Sequence, residues 1–252
     1  MTRPLPHNPK GNGIQVVFFD VGGTLLHVKT SVGTVYAERA ALQGISVSAA
    51  ELDRNFRVAW DHSAERSFAR NYVCSDPILR EEWRHIVRET FGGKVTEAQL
   101  EPLFDDLYRC FSSADAWDLV PGARETFAHL KRRGLKLGVL SNWDSRLVKM
   151  LERLAIKDVF DVLVISHGVG FEKPHPEIFL EALRRAGTAQ ARALHVGDSY
   201  EADILPAKTL GMRTLWLAPG AERGSHPGAD ACADALPPEP IPFWDDLIAR
   251  FD

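Results

Sequence analysis

Side chains able to do chemistry follow four short apolar runs of the sequence, and the first of them is Asp20. It directly follows the apolar run VVFF and directly precedes VGGT. A carboxylate at the carboxyl end of a buried parallel strand lies where open α/β sheets bind their ligands. Gly22 and Gly23 permit a sharp turn and a close approach of the backbone to a ligand. The alternative is an aspartate that only begins a turn; the polar residues at three further strand ends favour the ligand site.

The second apolar run ends in LSNWD, which places Ser141 and Asn142 just before a predicted helix. A hydroxyl in this position, assisted by backbone N–H groups of the turn, is suited to binding an anion. The alternative is that Ser141 only caps the helix, and Asp144 is itself predicted to be an N-cap.

Lys173 follows the third apolar run, in the sequence GVGFEKP. The proline after it restricts its backbone, and an ammonium held there is able to neutralise a carboxylate and a phosphate together. A solvated surface lysine is the alternative. The glycines at 168 and 170 lack the spacing of a dinucleotide-binding motif.

The fourth apolar run leads into HVGDSYEAD, in which Asp198 and Asp203 stand five residues apart. Two carboxylates at a strand end and in the first turn of a helix are suited to a small hard cation, one as a direct ligand and the other in the outer shell. The alternative is that both acids only compensate the helix dipole. His195 is predicted to lie within the strand and to pack there.

Five apolar runs predict the strands that position these side chains, and helical patterns separate the later ones. An alternation of strands and helices predicts a parallel sheet with helices on both faces. The predicted strands are Gln15–Phe19, Lys136–Leu140, Val162–Ile165, Ala193–Val196 and Arg213–Leu217, and the predicted helices between them are Ala123–Arg133, Arg146–Leu154, Pro176–Gly187 and Glu201–Leu210.

The stretch from Thr30 to Asp115 shows helical periodicity and no strand pattern. We expect it to form a helical bundle inserted after the first strand, above the carboxyl edge of the sheet. The predicted organisation is a flexible tail at 1–13, a core at 14–27 and 116–252, and a helical cap at 28–115. Pro219–Pro242 is expected to be mostly loop, and Phe243–Phe251 a last short helix. The helices predicted in the cap are Ser31–Gln43, Ser48–Arg70, Pro77–Phe91 and Thr96–Phe111.

The composition is that of an ordinary globular protein: 252 residues, 45% hydrophobic and 25% charged, with a net charge of −4. The sequence contains no basic stripe that would indicate a nucleic-acid partner, and it contains no apolar run long enough to span a bilayer. The three cysteines, Cys74, Cys110 and Cys232, fit neither a disulfide framework nor zinc spacing. They indicate a reduced, cytoplasmic protein. The oligomeric state stays open.

The four motifs together resemble those of the haloacid dehalogenase superfamily of hydrolases. The resemblance extends from Val16 to Leu217 and rests on FFDVGGTLL, VLSNWD, GFEKPHPEIF and HVGDSYEAD. The position of the insertion is similar to that of the subgroup with a helical cap between the first two motifs. The resemblance implies a Rossmann-like, doubly wound parallel sheet with an inserted α-helical bundle.

The resemblance also implies roles for the acidic residues. Asp20 would be the nucleophile that attacks phosphorus and forms an aspartyl-phosphate. Mg²⁺ would be held by Asp20, the backbone carbonyl of Gly22, and Asp198, with Asp203 orienting this shell.

The remaining motif residues would contact the substrate, which the resemblance implies is a small phosphorylated molecule. Ser141 and the turn at Asn142 would hold phosphate oxygens. Lys173 would balance the charge of Asp20 and of the transferring phosphoryl group.

Gly22 departs from the family pattern, in which phosphatases usually carry a second aspartate as general acid and base. Activity on alkyl phosphates is therefore expected to be poor, whereas aryl and acyl phosphates need less protonation. Two alternatives stay open beside a weak or restricted Mg²⁺-dependent phosphatase: a non-catalytic protein that binds or regulates, and a 2-haloacid dehalogenase. Candidates for a replacement acid are His27, Asp61, His62 and Glu65.

Overall fold

The computed structural model describes residues 13–218, 224–226, 228–233, 236 and 240–251. The predicted tail therefore lies outside the described residues except for Gly13. The strands are β1 (Val16–Phe19), β2 (Leu26–Val28), β3 (Trp117–Leu119), β4 (Lys136–Ser141), β5 (Val162–Ile165), β6 (Ala193–Gly197), β7 (Arg213–Leu217), β8 (Gly224–His226) and β9 (Ala229–Ala233). The helices are α1 (Val32–Ala41), α2 (Ala49–Ala69), α3 (Asp76–Phe91), α4 (Glu97–Cys110), α5 (Ala123–Arg132), α6 (Arg146–Arg153), α7 (Ser166–Val169), α8 (Pro176–Ala186), α9 (Leu205–Thr209) and α10 (Pro240–Ala249).

The main sheet has the strand order β5-β4-β1-β6-β7-β9-β8. Its first six strands are parallel, and β8 pairs antiparallel with β9. The central strand β1 is apolar along its whole length and fully buried, as expected for a parallel strand covered on both faces. Because neighbouring parallel strands point the same way, the residues that follow β1, β4, β5 and β6 meet at one edge of the sheet.

Each face of the sheet has its own hydrophobic core. On one face, Phe19 makes edge-to-face contacts with Phe127 of α5 (ring centroids 5.7 Å apart) and Trp244 of α10 (6.1 Å). On the other face, Phe18 packs in a cluster with Phe179 of α8. These two layers confirm the predicted Rossmann-like, doubly wound α/β fold.

Between β2 and β3 the chain forms four helices, α1 to α4, which we call the helical segment (residues 32–110). Its own core includes Tyr36, Leu52, Phe91 and Phe104. All of residues 30–115 are described, and the four helices agree with the predicted ones. The segment begins and ends at an antiparallel pair that the sequence did not reveal, β2 with β3. These strands have three residues each, too few for a period-2 pattern to appear.

Two predictions for the last part of the chain need correction. Pro219–Pro242 was expected to be mostly loop, yet β8 and β9 lie within it and extend the sheet. The β9 sequence ADACA has little intrinsic strand preference, and pairing with β7 determines its conformation. The predicted helix Glu201–Leu210 begins instead with a π-helical turn over Tyr200–Ile204 before α9; such turns are frequent at functional sites.

Among the described residues, none of the helices combines the length and the hydrophobicity that a membrane-spanning helix needs. Cys74, Cys110 and Cys232 are all free thiols.

Candidate active site

Lys173 lies at the centre of a buried group of charges at the carboxyl edge of the sheet. Its Nζ donates hydrogen bonds to Oδ1 of Asp20 (2.6 Å) and to Oδ1 of Asp203 (2.5 Å). The exposed fractions of Asp20, Lys173 and Asp203 are 7%, 4% and 1%. Burial would lower the pKa of Lys173, but the two carboxylates hold it above the ordinary lysine value. Lys173 is therefore a fixed positive charge beside Asp20.

Asp20 is placed by the strand before it. Its backbone N–H donates to the carbonyl of Val196 on β6 (2.9 Å), which extends the ladder of β1 by one residue. Burial raises the pKa of its carboxyl group, and Lys173 and the Ser141 hydroxyl partly oppose this rise by hydrogen bonding to the carboxylate. Ser141, the last residue of β4, is 1% exposed. The structure thus brings the predicted nucleophile, cation and hydroxyl together.

Asp203 has hydrogen-bond donors at both carboxylate oxygens. Oδ1 accepts from Lys173 and from Nε2 of His195 (2.8 Å), and Oδ2 accepts from the backbone N–H of Ser199 (3.2 Å). Burial would raise the pKa of Asp203, but the charge of Lys173 and the bond from His195 lower it to about 2. His195 lies within β6 as predicted, and it also fixes Asp203, a role that the sequence did not indicate.

Asp198 is held by the turn that follows β1. Thr24 Oγ1 donates to its Oδ1 (3.1 Å). Gly23 has a φ of +78°, and a Cβ there would lie 2.3 Å from Asp198 Oδ2, so only glycine suits this position. Burial, together with the charges of Asp20 and Asp203, raises the pKa of Asp198 to about 7.

The three aspartates fit a small divalent cation. Each offers an oxygen, and these oxygens lie within 4.8 Å of one another. An all-oxygen donor set is what Mg²⁺ prefers. The cluster holds three carboxylates and one ammonium, that of Lys173, so a divalent cation would balance charge that Lys173 alone leaves. Since both oxygens of Asp203 already accept hydrogen bonds, Asp203 suits the outer shell better than direct coordination.

Asn142 makes contacts that the sequence did not predict. Its Oδ1 accepts from the backbone N–H of Lys173 (2.6 Å), and its Nδ2 donates to the carbonyl of Lys173 (2.9 Å). Its side chain therefore holds the backbone of Lys173 in place. The predicted phosphate contact of the turn at Asn142 stays a prediction.

Trp143 lies beside the position of the missing second aspartate. A Cβ added to Gly22 would lie 3.4 Å from Cζ3 of Trp143, whose ring packs against Trp117 with centroids 5.3 Å apart. Sequence reasoning missed Trp143, because nothing in the motif indicates where its ring points.

The proposed replacement acids have exposed side chains on β2 and α2. His62 Nδ1 lies 2.7 Å from Oε2 of Glu89 on the neighbouring helix α3. Among the hydrogen bonds of the described residues, none joins these four side chains to Asp20. They are His27, Asp61, His62 and Glu65.

Comparison with known proteins gives a consistent result. A profile of the haloacid dehalogenase-like hydrolase family matches residues 14–211. The chain is 37% identical to haloacid dehalogenase-like hydrolase domain-containing protein 3 of Mus musculus, over 95% of this chain and 94% of that protein. It is 41% identical to glyceraldehyde 3-phosphate phosphatase of Pyrococcus abyssi, over 40% of this chain and 43% of that protein.

Solved structures share the fold. A putative hydrolase of this superfamily from Bacillus subtilis, bound to magnesium, superposes with a TM-score of 0.68 at 21% identity, over 83% of this chain and 91% of that chain. Phosphatases and dehalogenases both occur among the structural matches. The fold by itself therefore does not distinguish between these two reactions.

Proposed function

The chain belongs to the haloacid dehalogenase-like hydrolases, and we propose that it is a Mg²⁺-dependent phosphatase acting on a small phosphorylated metabolite. The observation that carries this proposal is the group of the buried Asp20, Lys173 and Asp203 with the half-buried Asp198, in which three carboxylates face one ammonium. The partial similarity to a phosphatase of Pyrococcus abyssi supports the same reaction class.

In the proposed reaction, Asp20 attacks the phosphorus atom of the substrate. A bond forms between a carboxylate oxygen and phosphorus, the bond from phosphorus to the leaving oxygen breaks, and that oxygen leaves with the electron pair and takes up a proton from solvent water. Water then attacks the same phosphorus, which releases inorganic phosphate and restores the carboxylate. Lys173 opposes the rise in the pKa of Asp20 and would offset charge on the phosphoryl oxygens, to which Ser141 would donate a hydrogen bond. Bound Mg²⁺ would reduce the repulsion between the anionic nucleophile and the phosphate.

Gly22 limits which substrates this site is able to cleave. It supplies no proton to the leaving oxygen and no base for the water, a loss worth on the order of 10²–10⁴ in rate, or about 3–5 kcal/mol of barrier. The proposed substrates are therefore phosphates with good leaving groups, such as aryl or acyl phosphates.

The predicted cytoplasmic location and the absence of nucleic-acid partners stay predictions.

Gly22 also supports a second candidate function, a non-catalytic protein that keeps the metal site for binding or regulation. A 2-haloacid dehalogenase has less support. Its nucleophile is an aspartate acting without a metal, whereas here burial and the charge of Asp203 raise the pKa of Asp20. In a metal-dependent phosphatase, the bound cation would offset this effect on Asp20.

Hydrolysis of p-nitrophenyl phosphate and acetyl phosphate, with Mg²⁺ and with EDTA, tests the proposal. Asp20→Asn is expected to abolish Mg²⁺-dependent turnover while the protein stays folded, because Lys173 keeps its bond to Asp203. The exposed Asp158→Asn serves as the matched control and is expected to retain full activity. Turnover no higher in the wild type than in Asp20→Asn would contradict the phosphatase and favour the non-catalytic protein. Halide release from 2-chloropropionate would then test the dehalogenase.

A further inference from the structure

The turn between α2 and α3 (residues 70–75, the α2–α3 turn) contacts the backbone next to Lys173. The N–H of Cys74 donates to the carbonyl of Gly170 (2.9 Å), and the N–H of Glu172 donates to the carbonyl of Tyr72 (2.9 Å). The two bonds form a short antiparallel bridge between the helical segment and residues 170–174, which we call the lysine loop. Part of the lysine loop is therefore held by the helical segment.

Arg70 reinforces this bridge with an ion pair to the residue before Lys173. Its Nη2 donates to Oε1 of Glu172 (2.7 Å), its Nη1 to Oε2 of Glu82 (3.2 Å) and its Nε to the carbonyl of Val73 (3.0 Å). The side chains of Arg70 and Glu172 are 20% and 7% exposed. One guanidinium thus joins α2, α3 and the α2–α3 turn to a buried carboxylate of the lysine loop.

The backbone of the α2–α3 turn has an unusual conformation. Asn71 and Tyr72 have φ values of 53° and 57°, in the left-handed region that residues other than glycine rarely adopt. Such conformations persist where the surrounding contacts require them. Here the left-handed pair presents the Tyr72 carbonyl to the N–H of Glu172.

The lysine loop is thus fixed from two sides, by Asn142 of the core and by the α2–α3 turn of the helical segment. Resting on the function proposed above, we propose that Arg70 is a positioning residue for Lys173. It acts through Glu172, and it makes the placement of the Lys173 ammonium between Asp20 and Asp203 depend on the docked helical segment.

The test compares Arg70→Met with Arg66→Met. Arg66 lies one turn earlier on α2 and makes two ion pairs of the same kind, to Glu82 (2.6 Å) and Glu89 (2.6 Å), but both partners belong to the helical segment. Either variant loses its ion pairs within that segment, so a merely structural role predicts similar effects for both. A positioning role predicts that only Arg70→Met disturbs the lysine loop.

Two measurements distinguish these outcomes. Steady-state kinetics with p-nitrophenyl phosphate are expected to show a kcat about 10-fold lower in Arg70→Met, with KM changed less than about twofold. In Arg70→Lys, kcat is expected to return part of the way to the wild-type value. Acetic anhydride labelling followed by mass spectrometry is expected to show Lys173 modified at least about threefold faster in Arg70→Met than in wild type or Arg66→Met. Lys157 on the surface, with a side chain 35% exposed, is the internal reference.

The labelling result needs no enzymatic activity, so it tests the positioning role even if the proposed phosphatase activity fails. Equal labelling and equal kcat in Arg70→Met and Arg66→Met would overturn the inference. If Arg70→Met does not fold, Glu172→Gln takes its place, because it removes the same ion pair and leaves Arg70 bonded within the helical segment. Unchanged Lys173 labelling in Glu172→Gln would likewise overturn it.

Discussion

At the site, the balance between one ammonium and three carboxylates determines what can bind. Lys173 is shared by Asp20 and Asp203, and Asp198 is left with a pKa of about 7. A carboxyl group in that state gains most from a cation, because burial has removed the water that would otherwise stabilise its charge. Gly22, two residues after the nucleophile, has no side chain that could give or take a proton.

Gly22→Asp is expected to raise kcat/KM on alkyl phosphates by about 10²-fold or more, because it adds the missing general acid and base. The gain on acetyl phosphate should be much smaller, since that leaving group needs little protonation. A Cβ at this position would be in ordinary contact with Trp143, so the backbone is able to accept a Cβ. Rates for the two substrates are the measurement.

Gly22→Asn is the matched control for this change, because it adds the same bulk without an acid. An equal gain in Gly22→Asn would show that bulk, rather than proton transfer, limits the rate. No gain in a folded Gly22→Asp protein would show that a further part of the site is unsuitable for alkyl phosphates.

Among the elements, the helices of the inserted segment begin with different degrees of side-chain capping. At α4, the Thr96 hydroxyl accepts from the N–H of Gln99, and the Gln99 side chain accepts from the N–H of Thr96, a complete capping box. At α2, Ser48 is the N-cap and its side chain makes no capping hydrogen bond. The same residue class therefore has different roles at two helix starts.

Thr96→Ala is expected to cost about 1 kcal/mol of unfolding free energy and to lower the melting temperature by about 2–4 °C. Ser48→Ala, the control, is expected to change the free energy by less than about 0.5 kcal/mol. Thermal unfolding followed by circular dichroism measures both. Equal losses in the two variants would contradict the difference in capping.

For the molecule as a whole, the helical segment is attached to the loops that carry the site. Besides the Arg70 contacts, Tyr108 of α4 donates to Oδ2 of Asp144 (3.1 Å), and Asp76 of α3 accepts from the N–H of Ser145 (3.0 Å). These partners follow β4, so the helical segment lies against the carboxyl edge of the sheet, where the charged group is buried. The predicted role of this segment as a cap over the site stays a prediction.

Mg²⁺ is expected to stabilise the folded protein, because the three aspartates come together only in the native state. At a free concentration 100 times the Kd, the stabilisation is about 2.7 kcal/mol, which raises the melting temperature by about 5–10 °C. EDTA should reverse the shift. In Asp198→Asn most of this rise in melting temperature should disappear, since a neutral amide replaces a carboxylate ligand of the cation. An equal shift in that variant would point to a general salt effect.

The sequence by itself determined the local features of this protein. Continuous apolar runs identified β1 and β4 to β7, and helical periodicity identified the four helices of the inserted segment, because such a run or repeat is visible within a single element. The motif residues could be assigned to one edge because parallel strands carry their carboxyl ends to the same side. The short pair β2–β3 and the alanine-rich β9 have no such repeat, so pairing partners distant in sequence determined them.

The tertiary structure alone decided how the side chains of the site share their bonds. The Asn142 side chain binds the backbone of Lys173, His195 fixes Asp203, and Trp143 lies beside Gly22. The first and third contacts join segments that follow different strands, and the second joins β6 to the turn after it. Their geometry depends on side-chain direction and on the packing of neighbouring loops, and spacing along the chain carries no information about either.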